Sequence, residues 1–507
     1  MSNKKSFFKS GIILTMVTLA IRSVGMFFGA YISRIVGAEG TGLYTLIMTV
    51  YSFALTFATS GISLTVTRLV AAAIGEGREE KIASIIKAAL IWALGFSAVA
   101  TGGLFLGAEF LGGRILSDSR TIASLKILAL SLVPASLIAV FSGYFVGVKR
   151  VNFNAAVSVF CQVLKIGVTV ILVNRLVLHG TVAAVKGLCL GLTITEILGF
   201  ALIFVEYIYD RRKHSARAKE GSPELASVSS MALPLALSAY VRSALLNIEH
   251  ILIPKKLREK GESTTEAYSH YGALHGMALP LVTYPMSPLS SFAGLLVPEF
   301  AEDMSAGRSG RMSRIAAKAI NSTMAYATVC AVFLFLFSEE LGYVIYRSAD
   351  AGYYISVLSL IVPIMYLDHV TDSMLKGIGE QVFSMWVNIT DSLLSVLLVW
   401  ILIPRMGIMG YALVIVIMES YNFLLSFIRL RKRVAFKVNL LYVFVPFAIA
   451  MAASLLTKHL FAFSGSTAQP LWLILKIVFS FAFVIFLSSI CNILARKSRI
   501  RPAIKEK

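Results

Sequence analysis

The chain has 507 residues, of which 57% are hydrophobic and only 15% charged, with a mean hydropathy of +0.80. So little charge excludes a string of ordinary soluble domains, in which about a quarter of residues are charged. The net charge of +20 does not point to nucleic acid, because the basic residues cluster in short segments between apolar runs, as the positive-inside rule describes.

Apolar runs of about 20 residues, the length that crosses a bilayer, recur from end to end. The pattern predicts an all-α polytopic membrane protein with fourteen spans. Span 1 covers 11–32. Its basic start looks like a signal peptide, but the apolar stretch continues past Arg22 without a cleavage site, so a retained helix is expected. Residues 37–42 form a turn, and span 2 covers 43–73. After a charged loop at 75–81 come span 3 (84–111), span 4 (125–148, containing Pro134), span 5 (155–176) and span 6 (183–209). The most basic internal loop, DRRKHSARAKE, follows at 210–220.

Span 7 covers 231–253, and a polar loop at 255–270 leads to span 8 (271–297). Pro280, Pro285 and Pro288 predict that span 8 is bent or broken. Spans 9 to 12 cover 315–337, 353–375, 382–403 and 409–430, and spans 13 and 14 cover 440–461 and 471–494. An even number of spans puts both termini on one face. Lys and Arg concentrate in the termini and in the loops after even-numbered spans, so that face is expected to be cytoplasmic. The loop 255–270, with Lys255, Lys256, Arg258 and Lys260, is the exception.

Spans 1–6 and 7–12 read as two copies. Arg22-Ser23 matches Arg242-Ser243, Pro134 and Gly147 match Pro363 and Gly377, and the loops at 77–81 and 307–311 lead to Lys87 and Lys318. Gly187 precedes Glu196 as Gly410 precedes Glu419. Six spans is an even repeat, so the copies share one orientation, as in parallel-repeat transporters. The expected organisation is a six-helix lobe at 1–210, a basic cytoplasmic loop at 211–230, a second lobe at 231–433, helices 13 and 14 at 434–495, and a basic tail at 496–507. Two lobes would enclose a cavity and rock to alternate access.

No catalytic residue is expected. The chain lacks a P-loop, a dinucleotide fingerprint, His-Glu-x-x-His and Cys-x-x-Cys. Cys161, Cys189, Cys330 and Cys491 lie in apolar runs without metal-ligand spacing, so no metal, cofactor or disulfide framework is expected. The functional signal is charge inside the membrane. An arginine at mid-bilayer costs about 2.5–3.5 kcal/mol on insertion scales, so Arg22 and Arg242 must face protein or water. Guanidinium groups grip phosphate well, which makes the pair a candidate anion site. Glu249, seven residues after Arg242, shares its helix face and offers the alternative of a helix-joining ion pair. Lys165, Arg34 and Arg68 are further cavity candidates, the last two explained equally by snorkelling. Glu249, Asn388 and Asp391 form a candidate site for a coupling ion, Na+ or H+, with membrane potential as the other energy source. Asp368, Asp372 and Lys376 are expected to form a salt-bridge ladder. Glu196 and Glu419 are expected to join helices.

The segment GYFVGVKRVNFNAAVSVFCQVLKI (143–166) resembles the G-Y-F-x-G…Q-V element of SpoVB-like (stage V sporulation protein B) polysaccharide transporters. These share a superfamily, termed MOP, with MurJ and Wzx flippases and MATE exporters. ISRIVGAEGTGLYTLIMTVYSF (32–53), NIEHILIPKKL (247–257), YGALHGMALPLVTYP (271–285) and LKGIGE (375–380) are similar to other parts of that group, and the likeness covers residues 1–440. Ser142 and Lys165 stand where an arginine and a glutamate are usual, and Phe28 where MurJ proteins place a second arginine. The resemblance implies a MATE/MurJ-like fold. It also implies export of an undecaprenyl-pyrophosphate-linked sugar, a peptidoglycan precursor such as lipid II, across a bacterial cytoplasmic membrane, by a monomer among membrane lipids. The alternatives are a MATE-type cation or drug antiporter, which would favour carboxylates over the cations found here, and a membrane scaffold.

Overall fold

The computed structural model describes residues 2–76, 78, 80–148, 150–214, 224–461, 472, 475–480 and 482–484. Most of the fourteenth span, the basic tail, and residues 215–223 of the basic loop lie outside the described residues, as do the side chains before Val24.

Every described element is helical. The chain begins with α1 (Ser2–Thr59), which carries both expected spans 1 and 2. The expected turn reduces to one kink, at Gly37 (φ 73°, ψ −178°), a backbone conformation that suits glycine. Then follow α2 (Ile62–Gly75), α3 (Lys81–Phe110), α4 (Ile122–Ala129), α5 (Leu132–Gly147), α6 (Val151–Leu176), α7 (Thr181–His214) and α8 (Leu225–Glu259). The second half comprises α9 (Thr264–Tyr271), α10 (Leu279–Thr283), α11 (Ser287–Ser305), α12 (Ser309–Leu336), α13 (Ser338–Leu341), α14 (Ala349–Ser359), α15 (Val362–Gly377), α16 (Gln381–Met406), α17 (Ile408–Arg433) and α18 (Leu441–Leu460).

Eight helices among the described residues are long and apolar enough to cross a membrane, or ten if two bent pairs each count as one span. The protein is therefore a multi-pass membrane protein. The count falls below fourteen partly because most of span 14 lies outside the described residues and partly for physical reasons. Spans 1 and 2 are continuous across the kink. The span-8 stretch is split into a π-helical turn (272–278), α10, a 3-10 turn (284–286) and α11, as three prolines that cannot donate a backbone hydrogen bond require. Tyr366 and Tyr326 donate hydroxyls to the Val282 and Pro285 carbonyls (2.8 Å each), which ties this broken backbone to its neighbours.

The chain divides into two compact units: residues 1–21 with 35–269, and residues 22–34 with 270–507. The units do not follow the repeat boundaries. Helix α8, first in the second copy, packs within the first unit, and a piece of α1 belongs to the second. The first unit has two apolar clusters. Leu43, Ile47 and Tyr51 of α1 anchor one, and Val66 and Val70 of α2 with Phe141 and Phe145 of α5 anchor the other. In the second unit, Phe300, Ile320, Met374 and Leu430 centre a cluster joining α11, α12, α15 and α17.

The same local features recur 230 residues apart. A π-helical turn precedes Ser117 (φ 53°) in the first unit and Arg347 (φ 54°) in the second. Asp118 and Ser348 follow, each capping the next helix with a side-chain oxygen. The spans after them are bent, by 41° at α4–α5 and 59° at α14–α15. An ion pair then joins the residue before the next helix to the end of the sixth span, with its charges exchanged: Arg150 with Asp210 in the first unit, Glu380 with Arg433 in the second (2.6 Å).

Candidate functional site

Within the first unit, α1 and α8 run antiparallel along a polar seam. Ser243 Oγ lies 3.4 Å from Thr56 Oγ1, and Ser52 Oγ lies 3.4 Å from Asn247 Oδ1. Tyr240 donates its hydroxyl to the Phe57 carbonyl (3.0 Å) and stacks on the Phe57 ring, centroids 5.0 Å apart. A Cβ on Gly42 would collide with the Tyr268 carbonyl, and one on Gly61 would come within 2.5 Å of the Ala232 carbonyl. Gly61 thus lets the backbone after α1 close on α8, and Gly42 lets α1 close on α9. Two of the three hydroxyl and amide contacts are long, and none involves a charged group, so the seam can part without uncovering unpaired charge.

One end of this seam is laced by ions. Arg120 binds Asp118 (2.8 Å) and Glu39 (2.8 Å), and its guanidinium lies 5.7 Å from the centre of the Tyr268 ring. Thr265 reaches Glu39 at 3.2 Å, and Arg258 donates to the Leu116 and Ser117 carbonyls. Arg258 and Thr265 lie in the loop region 255–270, whose positive charge broke the loop pattern. Part of that charge is therefore engaged with neighbouring loops of the first unit.

The candidate cations in this unit take different positions. Arg242 and Arg68 are exposed and make no ion pair among the described residues. Glu249 is buried, 8% exposed, and the helix-joining pair with Arg242 is not formed. Lys165 of α6 is half-buried and within electrostatic reach of Glu196 on α7, with no ion pair between them among the described residues. Arg34, in the α1 segment of the second unit, is exposed. The side chain of Arg22 lies outside the described residues.

In the second unit, α15, α16 and α17 share a polar core. Asp368 lies within electrostatic reach of Asp372, Asp391 and Glu419, near Ser426 of α17. Glu419, Asn422 and Ser426, spaced i, i+3, i+7, line one face of α17. Thr390 and Tyr421 join α16 to α17 by their hydroxyls (3.0 Å). Asn388 donates to the Ser384 carbonyl (2.7 Å). The Asp368 Oδ1 and Asn422 Oδ1 atoms are buried without a hydrogen-bond partner among the described residues. Of the expected ladder one rung forms. Lys376 pairs with Asp372 (2.6 Å), whereas Asp368 makes no ion pair among the described residues and lies within electrostatic reach of Asp372, Asp391 and Lys376. Glu419 likewise belongs to an acidic group rather than to a simple helix-joining pair. The residues the sequence reading missed here are Asp368, Asn422 and Glu419 as one set with Asp391. The available signal was a polar residue on each of three consecutive apolar spans. Among the described residues, no three His, Cys, Asp or Glu side chains converge as a metal site would require.

A family model described as "Polysaccharide biosynthesis protein" matches residues 7–304. The chain is 26% identical over 420 residues to stage V sporulation protein B of Bacillus subtilis, covering 82% of this chain and 81% of that protein. Its fold is similar to that of the lipid II flippase MurJ in an inward closed conformation, with TM-score 0.68 at 15% identity, covering 94% of this chain and 98% of that one. It is also similar to an inward-facing MATE family multidrug resistance transporter of the MOP superfamily, with TM-score 0.65 at 18% identity, covering 83% and 98%.

Proposed function

This chain belongs to the polysaccharide biosynthesis protein family, with the fold of MOP transporters and not of an enzyme, and from that membership we propose that it carries an undecaprenyl-pyrophosphate-linked sugar across a bacterial cytoplasmic membrane. The observation that carries the reading is the family match across 7–304. The cargo is a peptidoglycan precursor of the lipid II type, used in spore cortex or cell wall. The protein works as a monomer of fourteen spans with both termini cytoplasmic, in two six-helix lobes (1–210 and 231–433) and two added helices.

In this reading Arg22 and Arg242 hold the pyrophosphate by charge-assisted hydrogen bonds, with Arg34, Arg68, Lys165 and Glu249 shaping the cavity. Free, exposed Arg242 supports that role better than a helix-joining one. The polar α1–α8 seam supports alternating access, because it can close and part with little loss of hydrogen bonding. Asp391, Asn388, Asp368 and Glu419 take up the coupling ion. Their carboxylate and amide oxygens, spread over three helices, suit a coupling ion, Na+ or H+.

That acidic set also favours a second reading, a MATE-type exporter of cations, whose cargo would need carboxylates. The two are separated in proteoliposomes. The protein should speed leaflet exchange of fluorescent undecaprenyl-pyrophosphate N-acetylglucosamine and leave proton-driven efflux of ethidium unchanged. Ethidium efflux without lipid exchange would carry the exporter reading instead.

A further inference from the structure

The second unit has a cavity of about 600 Å³, within the usual range for small-molecule sites, that the transport reading leaves unused. It lies where α12 ends and α14 begins, with Lys458 of α18 at its edge. Phe335, Tyr343 and Tyr353 offer aromatic surface, each about half exposed. Glu339, Ser338 and Ser356 supply oxygen atoms.

The repeat provides an internal control for this place. At the same positions 230 residues earlier stand Phe105, Glu109 and Lys126 in place of Phe335, Glu339 and Ser356. There Lys126 binds Glu109 at 2.9 Å and lies 5.9 Å from the centre of the Phe105 ring. Gly113 and Ala123 occupy the positions of Tyr343 and Tyr353. The first unit therefore closes its acid with a lysine among small residues. In the second, the lysine is replaced by Ser356, and the Glu339 side chain makes no ion pair or hydrogen bond with a described residue. Two tyrosines stand at the rim.

The chemistry of the lining selects its ligand. Ser338 and Ser356 donate their protons to the Phe335 (3.0 Å) and Tyr353 (2.7 Å) carbonyls, which leaves oxygen lone pairs to accept. With Glu339, three acceptors face the cavity, against one ammonium group. An anion would meet Glu339, and a simple cation would meet Lys458. A neutral ring rich in O–H donors, with a C–H face to lie on an aromatic side chain, satisfies every group. We propose that this cavity binds a saccharide unit, with Glu339 and the two serines accepting from its hydroxyls and Tyr343 or Tyr353 stacking on its ring. The proposal rests on the transport reading for its natural source, the sugar of the carried lipid; a free glycan offers the same chemistry.

The test uses the full chain in lipid nanodiscs, with N,N′-diacetylchitobiose as free probe and undecaprenyl-pyrophosphate N-acetylglucosamine as lipid-linked probe. Binding is followed by saturation-transfer NMR for the first and by fluorescence for the second. Wild type should bind at least one. Glu339→Gln, and independently Ser356→Lys, which restores the first unit's ion pair, should each weaken binding by about tenfold or more. Tyr343→Phe should retain it. Thermal unfolding confirms that each variant is folded. Binding of the lipid-linked probe alone identifies the cargo as the source, and binding of both identifies a general glycan site. No binding by wild type, or undiminished binding by folded Ser356→Lys, overturns the proposal. Leaflet exchange in the same samples separates the two readings: absent exchange with intact chitobiose binding removes transport and leaves this site standing, whereas intact exchange with binding insensitive to both substitutions does the reverse.

Discussion

Asp368 shows what a helix pattern can and cannot decide. Residues 368, 372 and 376 are spaced by four, and each step of four turns about 40° around a helix. Over two steps the drift is about 80°, enough for Lys376 to stay with Asp372 while Asp368 faces α17. The sequence identified the charges, but their partners came from helices whose rotation it does not encode. If Asp368, Asp391 and Glu419 take up the coupling ion, Glu419→Gln should abolish the dependence of leaflet exchange on a proton or Na+ gradient. Exchange without a gradient should remain. A second prediction concerns Glu380, in the loop before α16. Arg429 (2.8 Å), together with Arg433, holds its carboxyl below the usual range. A depressed folded-state value means that the stabilisation is full above the ordinary carboxylate pKa of about 4.3 and disappears as pH falls through the lower folded value. Thermal unfolding from pH 6 down to pH 3 should therefore show an acid loss in wild type that Glu380→Gln reduces.

At the scale of elements, the helix-breaking residues were the legible part. The prolines of span 8 mark a broken span, because each lacks the N–H a helix needs, whereas the bends of the spans holding Pro134 and Pro363 were not foreseen. The kink at Gly37 was legible as a break but not as a continuous helix, since one glycine with positive φ redirects a chain without ending its hydrogen bonding. The seam between α1 and α8 was not legible, because serine, threonine and asparagine on an apolar helix do not reveal which neighbour they meet. Two predictions test it. Gly61→Ala should cost about 1–3 kcal/mol in thermal unfolding, from the strained φ of 79° and the collision with the Ala232 carbonyl. Thr56→Cys with Ser243→Cys, in a chain whose own cysteines are replaced, should form a disulfide on oxidation, since the native oxygens are 3.4 Å apart. The oxidised protein should stop leaflet exchange, and reduction should restore it.

For the whole molecule, composition alone pointed to a multi-pass membrane protein, and a few glycines, prolines and charges suggested a repeat. The division into compact units was not legible. Helix α8 begins the second copy but packs in the first unit, and residues 22–34 belong to the second. The repeat follows the order of the chain, whereas packing follows apolar surface, and the two need not coincide. Arg22 and Arg242 stand at matching positions of the sequence repeat, and the proposed grip on pyrophosphate needs both. The most direct measurement is leaflet exchange of fluorescent undecaprenyl-pyrophosphate N-acetylglucosamine in proteoliposomes, comparing wild type with a folded Arg22→Ala/Arg242→Ala variant. Loss of charge-assisted hydrogen bonds of about 1.5–3 kcal/mol each predicts a drop of at least about tenfold. Exchange by the variant at the wild-type rate would contradict the account.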